Sequence, residues 1–134
     1  MTRIKWSKTY SVGVEEIDHQ HKQLFEMINN YQDSLDAADN TAPKKLLTNL
    51  MEYALTHFGT EEKYFEIFQY SGSEIHIKQH QEFETKVREF IKLYQSMKIF
   101  NSSTVLHFLK NWIINHVLIS DKKYIRCFKE HGLR

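Results

Sequence analysis

Two pairs of residues four apart carry the chemistry of this chain: His57 with Glu61, and His76 with His80. On an α-helix, positions four apart lie about 40° from each other around the axis and one turn along it, so the side chains of each pair can reach one point. Three further residues join them, His21 upstream and His116 with Asp121 downstream, each on an otherwise apolar stripe. Imidazole binds iron, zinc, copper and nickel well, and a carboxylate can bridge two cations and offset their charge. Five imidazoles and two carboxylates, with no cysteine among them, describe a site for divalent metal, specifically a pair of ions. The donor mixture suits iron best, and spacing alone leaves zinc, manganese and copper open. A single histidine on an apolar stripe is ordinarily a hydrogen-bonded core residue. Seven polar groups together are another matter, because each one buried without a partner costs about 1–3 kcal/mol.

His116 and Asp121 are five apart, which on a regular helix turns them roughly 140° away from each other. A helix widened by one residue between them, as π-bulges at functional sites are, would bring them back to one face. A regular α-helical ladder from His116 to Asp121 would remove that expectation. The remaining histidines fall off the stripes. His19 is two residues from His21 and so points about 200° around the helix, while His107 and His131 are expected at the surface. Cys127, beside Phe128, reads as a core or half-buried thiol.

Four amphipathic stretches must position these groups. The first runs from Ile17 to Leu35 through Ile17, His21, Leu24, Ile28, Tyr31 and Leu35, in alternating steps of three and four. A break from Asp36 to Ala42 follows, and Pro43 suits a first helical turn. The second stripe is Leu47, Leu50, Ala54, His57, Glu61, Tyr64 and Phe68. Ser71 and Glu74 then have the spacing of a capping box. The third stripe is His76, His80, Phe83, Val87, Phe90, Tyr94 and Met97. Asn101, Ser102 and Ser103 offer a cap for the fourth, which includes Leu109, Trp112, Ile113, His116, Val117, Asp121, Tyr124 and Phe128. Short connections between helices of about six turns predict an all-α fold, a left-handed antiparallel up-down-up-down four-helix bundle over residues 17–129. In residues 1–16, Ile4, Trp6, Tyr10, Val12 and Val14 alternate with polar neighbours, as in an extended N-terminal arm laid across the bundle.

Composition narrows the partners. At 134 residues the chain fits one domain. A formal net charge of +1 with scattered lysines and arginines offers no field for nucleic acid. The single cysteine makes no intramolecular disulfide. No secretory leader is evident, and no apolar run approaches the ~20 residues of a membrane span. A soluble, cytoplasmic protein is expected.

With these residues assembled, the chain resembles the hemerythrin family, and within it the single-domain bacterial type. The likeness spans nearly the whole chain: Trp6 in the arm, Val12-Gly13-Val14-Glu15-Glu16-Ile17-Asp18 leading to His21, His57-Phe58, the His76 to His80 pair, and Trp112 before His116. All seven metal positions of the family pattern are matched, including the five-residue step to Asp121. The resemblance implies two iron ions, one held by His76, His80 and His116, the other by His21 and His57. Glu61, Asp121 and an oxo or hydroxo group would bridge them. It further implies that dioxygen binds reversibly as a hydroperoxide at the open position of the second iron. An apolar pocket lined by Leu24, Phe58, Trp112, Ile113 and Val117 would enclose it. Two carboxylates for two irons, against four in carboxylate-rich bundle sites, disfavour high-valent chemistry. The expected function is thus oxygen storage, delivery or sensing by a monomer, with dioxygen passed to a soluble or membrane oxygen-using enzyme. The alternatives are a di-iron enzyme reducing nitric oxide or peroxide, and a sensor module acting through a separate partner.

Overall fold

The computed structural model of the chain describes residues 3–37, 42–96 and 102–134. Helices α1 (Glu15–Asp36), α2 (Ala42–Phe68), α3 (Ser73–Gln95) and α4 (Ser102–Asn115) form an up-down-up-down bundle. The fourth rod continues through a π-helical turn (His116–Ser120) and a 3-10 turn (Asp121–Tyr124) into α5 (Ile125–Glu130). Among the described residues no helix is long and apolar enough to cross a membrane. Met97 and Asn101, which the sequence assigns to a stripe and a cap, lie outside the described residues.

The arm is extended apart from one 3-10 turn at Lys8–Tyr10, and it gives way to α1 at Glu15, two residues earlier than its alternating pattern indicates. Gly13, at a φ of 77°, makes the bend into α1. Three acidic residues, Glu15, Glu16 and Asp18, occupy the first turn of that helix, where the dipole favours negative charge. Asp18 also ties the arm down, accepting from the Val12 N–H at 2.8 Å and the Ser11 hydroxyl at 2.5 Å. Further along, Asn29 pairs with both backbone groups of Ile4, at 2.9 and 2.8 Å. Ile4, Val12 and Val14 are buried as a result.

Helix α2 stops at Gln69, which takes a left-handed φ of 53°, and the Tyr70 N–H returns to the Phe65 carbonyl. The expected capping box at Ser71 and Glu74 does not form. Gly72 is the N-cap of α3, with no side-chain capping bond. A Cβ on Gly72 would stand 2.7 Å from the Tyr70 hydroxyl, so the Tyr70 ring packs close over the backbone at this turn.

Two apolar clusters fill the bundle. The larger contains Leu24, Phe25, Ile28, Leu50, Ala54, Phe58, Val87, Leu109, Ile113 and Val117 among others; the smaller contains Val12, Val14, Ile17, Phe65, Tyr124 and Phe128. Along α1, Ile17 belongs to one and Leu24 to the other; along α2, Phe65 and Phe58 divide likewise. His21 falls between the first pair and Glu61 between the second. A polar layer therefore lies between two apolar ones. Burying each large apolar side chain on either side stabilises the fold by about 1.5–3 kcal/mol, which fixes the helices independently of what the polar layer holds.

Candidate metal centre

Every helix of the bundle contributes to this layer: His21 from α1, His57 and Glu61 from α2, His76 and His80 from α3, and His116 with Asp121 across the π-turn. All seven side chains are buried. They form two overlapping sets whose ligand atoms lie within 4.8 Å of one another: Glu61, His76, His80 and His116 in one, and His21, His57, Glu61 and Asp121 in the other.

The extra residue between His116 and Asp121 is taken up by the π-turn, in which the Asp121 N–H donates to the carbonyl of His116 five residues back. Such bonding stacks residues five apart as ordinary helical bonding stacks those four apart. Asp121 thereby faces inward, and its two oxygens face opposite halves of the site. Oδ2 stands 3.0 Å from His21 Nε2, while Oδ1 stands 3.0 Å from His76 Nε2 and 3.1 Å from His116 Nε2. Glu61 spans the halves with one oxygen, Oε1 lying 3.1 Å from His80 Nε2 and 3.4 Å from His57 Nε2.

These short distances are not hydrogen bonds. The Nε2 atoms of His21 and His80, Glu61 Oε1 and both Asp121 oxygens are buried without a hydrogen-bond partner. Atoms about 3 Å apart that fail to bond to each other have lone pairs aimed at shared points between them, the arrangement of ligands around a cation. The residues present therefore fit a pair of metal ions.

Electrostatics agrees with that geometry. Burial and the nearby Asp121 both oppose ionisation of Glu61, yet His57, His76 and His80 hold its pKa below the ordinary carboxylate range. Burial also opposes charge on Asp121, and His116, His21 and His76 drive its pKa well down. Among the imidazoles, burial pushes His57 down to about 3. Burial opposes a charge on His76 too, but the adjacent Asp121 and Glu61 carboxylates raise it to about 9. The layer is a tightly coupled set of acids and bases held between apolar walls.

Three residues support the ligands: Gln20 and Glu62 lie off the stripes, and Tyr124 lies on the fourth, where its stripe position does not reveal its role. Gln20 Oε1 lies 2.6 Å from His57 Nδ1 and its amide donates to Thr60 at 3.0 Å; Glu62 Oε2 lies 2.8 Å from His80 Nδ1. Each acceptor keeps the proton on Nδ1 and presents Nε2 to the centre. Tyr124 donates to Glu61 Oε2 at 2.5 Å. Polar residues adjacent to a ligand in sequence, and a tyrosine one turn beyond Asp121, are the signals that could have found them. His19, His107 and His131 are exposed, as their off-stripe positions indicate, and Cys127 is half-buried.

Of the five residues expected to line a pocket, Leu24, Phe58, Ile113 and Val117 are buried in the larger cluster and Trp112 packs against it. Phe58 stacks on His80 with ring centroids 3.9 Å apart, and Trp112 stacks on His116 at 4.3 Å.

The hemerythrin HHE cation binding domain matches residues 12–128. The chain belongs to the hemerythrin family. Bacteriohemerythrin of Pseudomonas aeruginosa (strain LESB58) is 30% identical over 125 residues, covering 93% of this chain and 81% of its own. The hemerythrin-like protein of Naegleria gruberi is 33% identical over 119 residues, covering 89% and 88%. In three dimensions, the crystal structure of wild-type hemerythrin superposes with a TM-score of 0.88 at 24% identity, over 94% of this chain and 98% of that one. The hemerythrin fold thus extends over essentially all of both chains.

Proposed function

We propose that this hemerythrin-family protein binds dioxygen reversibly at a non-haem di-iron centre, for oxygen storage, delivery or sensing. The observation that carries the reading is the pair of overlapping ligand sets with unbonded, converging donor atoms. In this proposal His76, His80 and His116 hold one iron, His21 and His57 hold the other, and Glu61 and Asp121 serve both. The bound ions would supply a reversible two-electron couple toward dioxygen.

The chain's own residues account for selectivity. Two imidazoles on one side against three on the other leave the His21–His57 half one protein donor short, which gives a small ligand room. Leu24, Phe58, Ile113 and Val117 exclude water and offer no acid to a bound molecule. Gln20 and Glu62 hold the imidazoles of His57 and His80 in the tautomer that directs Nε2 inward. Tyr124 keeps its proton, since burial and the Asp121 and Glu61 carboxylates raise its pKa well above the ordinary value, and its hydroxyl donates a hydrogen bond to Glu61 Oε2. All seven groups come from a single chain, so a monomer suffices. A carrier fits this set better than an enzyme, because beyond Tyr124, which is bonded to Glu61, no further acid or nucleophile stands among the described groups of the layer.

Optical titration of the iron-loaded protein tests the proposal. A visible absorption band should grow with oxygen pressure and vanish when oxygen is removed, over repeated cycles, and His57→Ala should abolish it. Sustained turnover of nitric oxide or peroxide with an electron donor, and no reversible band, would favour the enzyme instead.

A further inference from the structure

Resting on the metal-centre reading above, we propose that divalent iron enters and leaves through a cleft over His116, between α3 and the π-turn, and not past the His21–His57 half. The cleft has a volume of about 210 Å³ and is lined by Gln79, Trp112, Asn115, His116, Ile119 and Ser120. One residue of the candidate centre, His116, forms part of its wall.

Exposure is graded in the same direction. His116 and His76 retain 5% and 4% of their surface, whereas His21 and His57 retain 0% and 1%. The second half is closed over by Gln20, bonded at once to His57 and Thr60. A neighbouring depression, lined by Glu15, Glu16, His19, Gln20, Tyr53 and Arg134, includes none of the seven groups.

The chemistry of the lining suits transit. A hydrated dication cannot enter an apolar interior bare, so its waters must be exchanged stepwise for protein donors. Gln79, Asn115 and Ser120 bring amide and hydroxyl oxygens, which are hard and neutral. They can replace water on the ion while holding it weakly enough to surrender it to imidazole and carboxylate. Gln79 Oε1 is buried and accepts no hydrogen bond, which leaves one such oxygen unengaged beside the centre. Trp112, stacked on His116, supplies the rigid apolar wall that confines the path.

The test is stopped-flow loading of the full-length metal-free chain with Co²⁺, followed by absorbance, with chelator-driven release measured separately. Gln79→Leu should slow uptake and release alike by about tenfold, equivalent to one lost ligand step of about 1.4 kcal/mol, with stoichiometry and equilibrium affinity unchanged. His19→Ala, in the other depression, should load at the parent rate. A merely structural role for Gln79 would alter equilibrium affinity, and that result overturns the proposal. So does a parent-like rate in Gln79→Leu, or slowing in His19→Ala. Should Gln79→Leu lose its helical circular dichroism, Ser120→Ala and Asn115→Ala carry the same comparison. A parent chain that binds no Co²⁺ removes the metal centre and the route together; two bound equivalents with parent-like variant rates remove the route alone.

Discussion

Tyr124 is the residue on which the proposed bridge depends most directly. Its hydroxyl donates to Glu61 Oε2 at 2.5 Å in a fully buried position. Tyr124→Phe leaves the ring stacking on Phe128 in place and strips one buried carboxylate oxygen of its donor. The metal-free protein should lose about 1–3 kcal/mol in chemical denaturation, and metal affinity should fall about 10–100-fold, the usual effect of a lost supporting hydrogen bond. Equal affinity in Tyr124→Phe would mean that Glu61 is held by its imidazole neighbours alone. At the other end of the bundle, the hydroxyls of Tyr31 and Tyr94 lie 2.7 Å apart. Burial and the Tyr94 hydroxyl raise the pKa of Tyr31 well above its ordinary value of 10.0. The unfolded chain releases this proton near pH 10 and the folded chain only at higher pH, so above about pH 10 the unfolded state binds fewer protons. Stability from this group is therefore complete below pH 10 and is lost as pH rises beyond it. Tyr31→Phe should be less stable by about 1 kcal/mol at pH 7 and should show a shallower alkaline decline in its denaturation midpoint between pH 9 and 11. An unchanged slope would place the alkaline sensitivity elsewhere.

Among the elements, the π-turn decides whether α4 can serve the site at both ends of its step. Five residues joined by π-type bonding stack as four do in an α-helix, so the turn and the spacing compensate each other. Leu118 is 37% exposed within that turn. Its deletion leaves His116 and Asp121 four apart on a regular helix, and metal analysis of that variant should still find two equivalents. Insertion of one alanine after Val117 instead rotates Asp121 by about 100° and should reduce the stoichiometry. If both variants bind alike, the turn does not govern Asp121. Connections follow the same logic of local fit: α3 is capped at Gly72, over which the Tyr70 ring packs too closely for a side chain, a contact that the favourable spacing of Ser71 and Glu74 does not reveal.

On the scale of the molecule, apolar clusters above and below the polar layer hold the bundle together, so the metal-free protein should remain helical yet be less stable. Ligand at 100 to 1,000 times its dissociation constant stabilises a fold by about 3–4 kcal/mol. Chelation should therefore lower the melting temperature by several degrees with little change in circular dichroism, whereas matching melting curves with and without iron would contradict the site. The stripes of three and four already determine the helices, their order, and which residue of each faces the core, because helical periodicity is a property of the chain alone. That is why His21, His57, Glu61, His76 and His80 are legible as one constellation, and why the family likeness follows from them. A stripe specifies a face but neither a side-chain torsion nor what stands opposite on the next helix. Only the packed bundle decides that Asp121 divides its oxygens between two halves, that Tyr124 takes the second oxygen of Glu61, and that Gln20 and Glu62 fix the imidazoles. Each of those contacts depends on the distance and rotation between helices, which arise when apolar surfaces from distant parts of the chain close on one another.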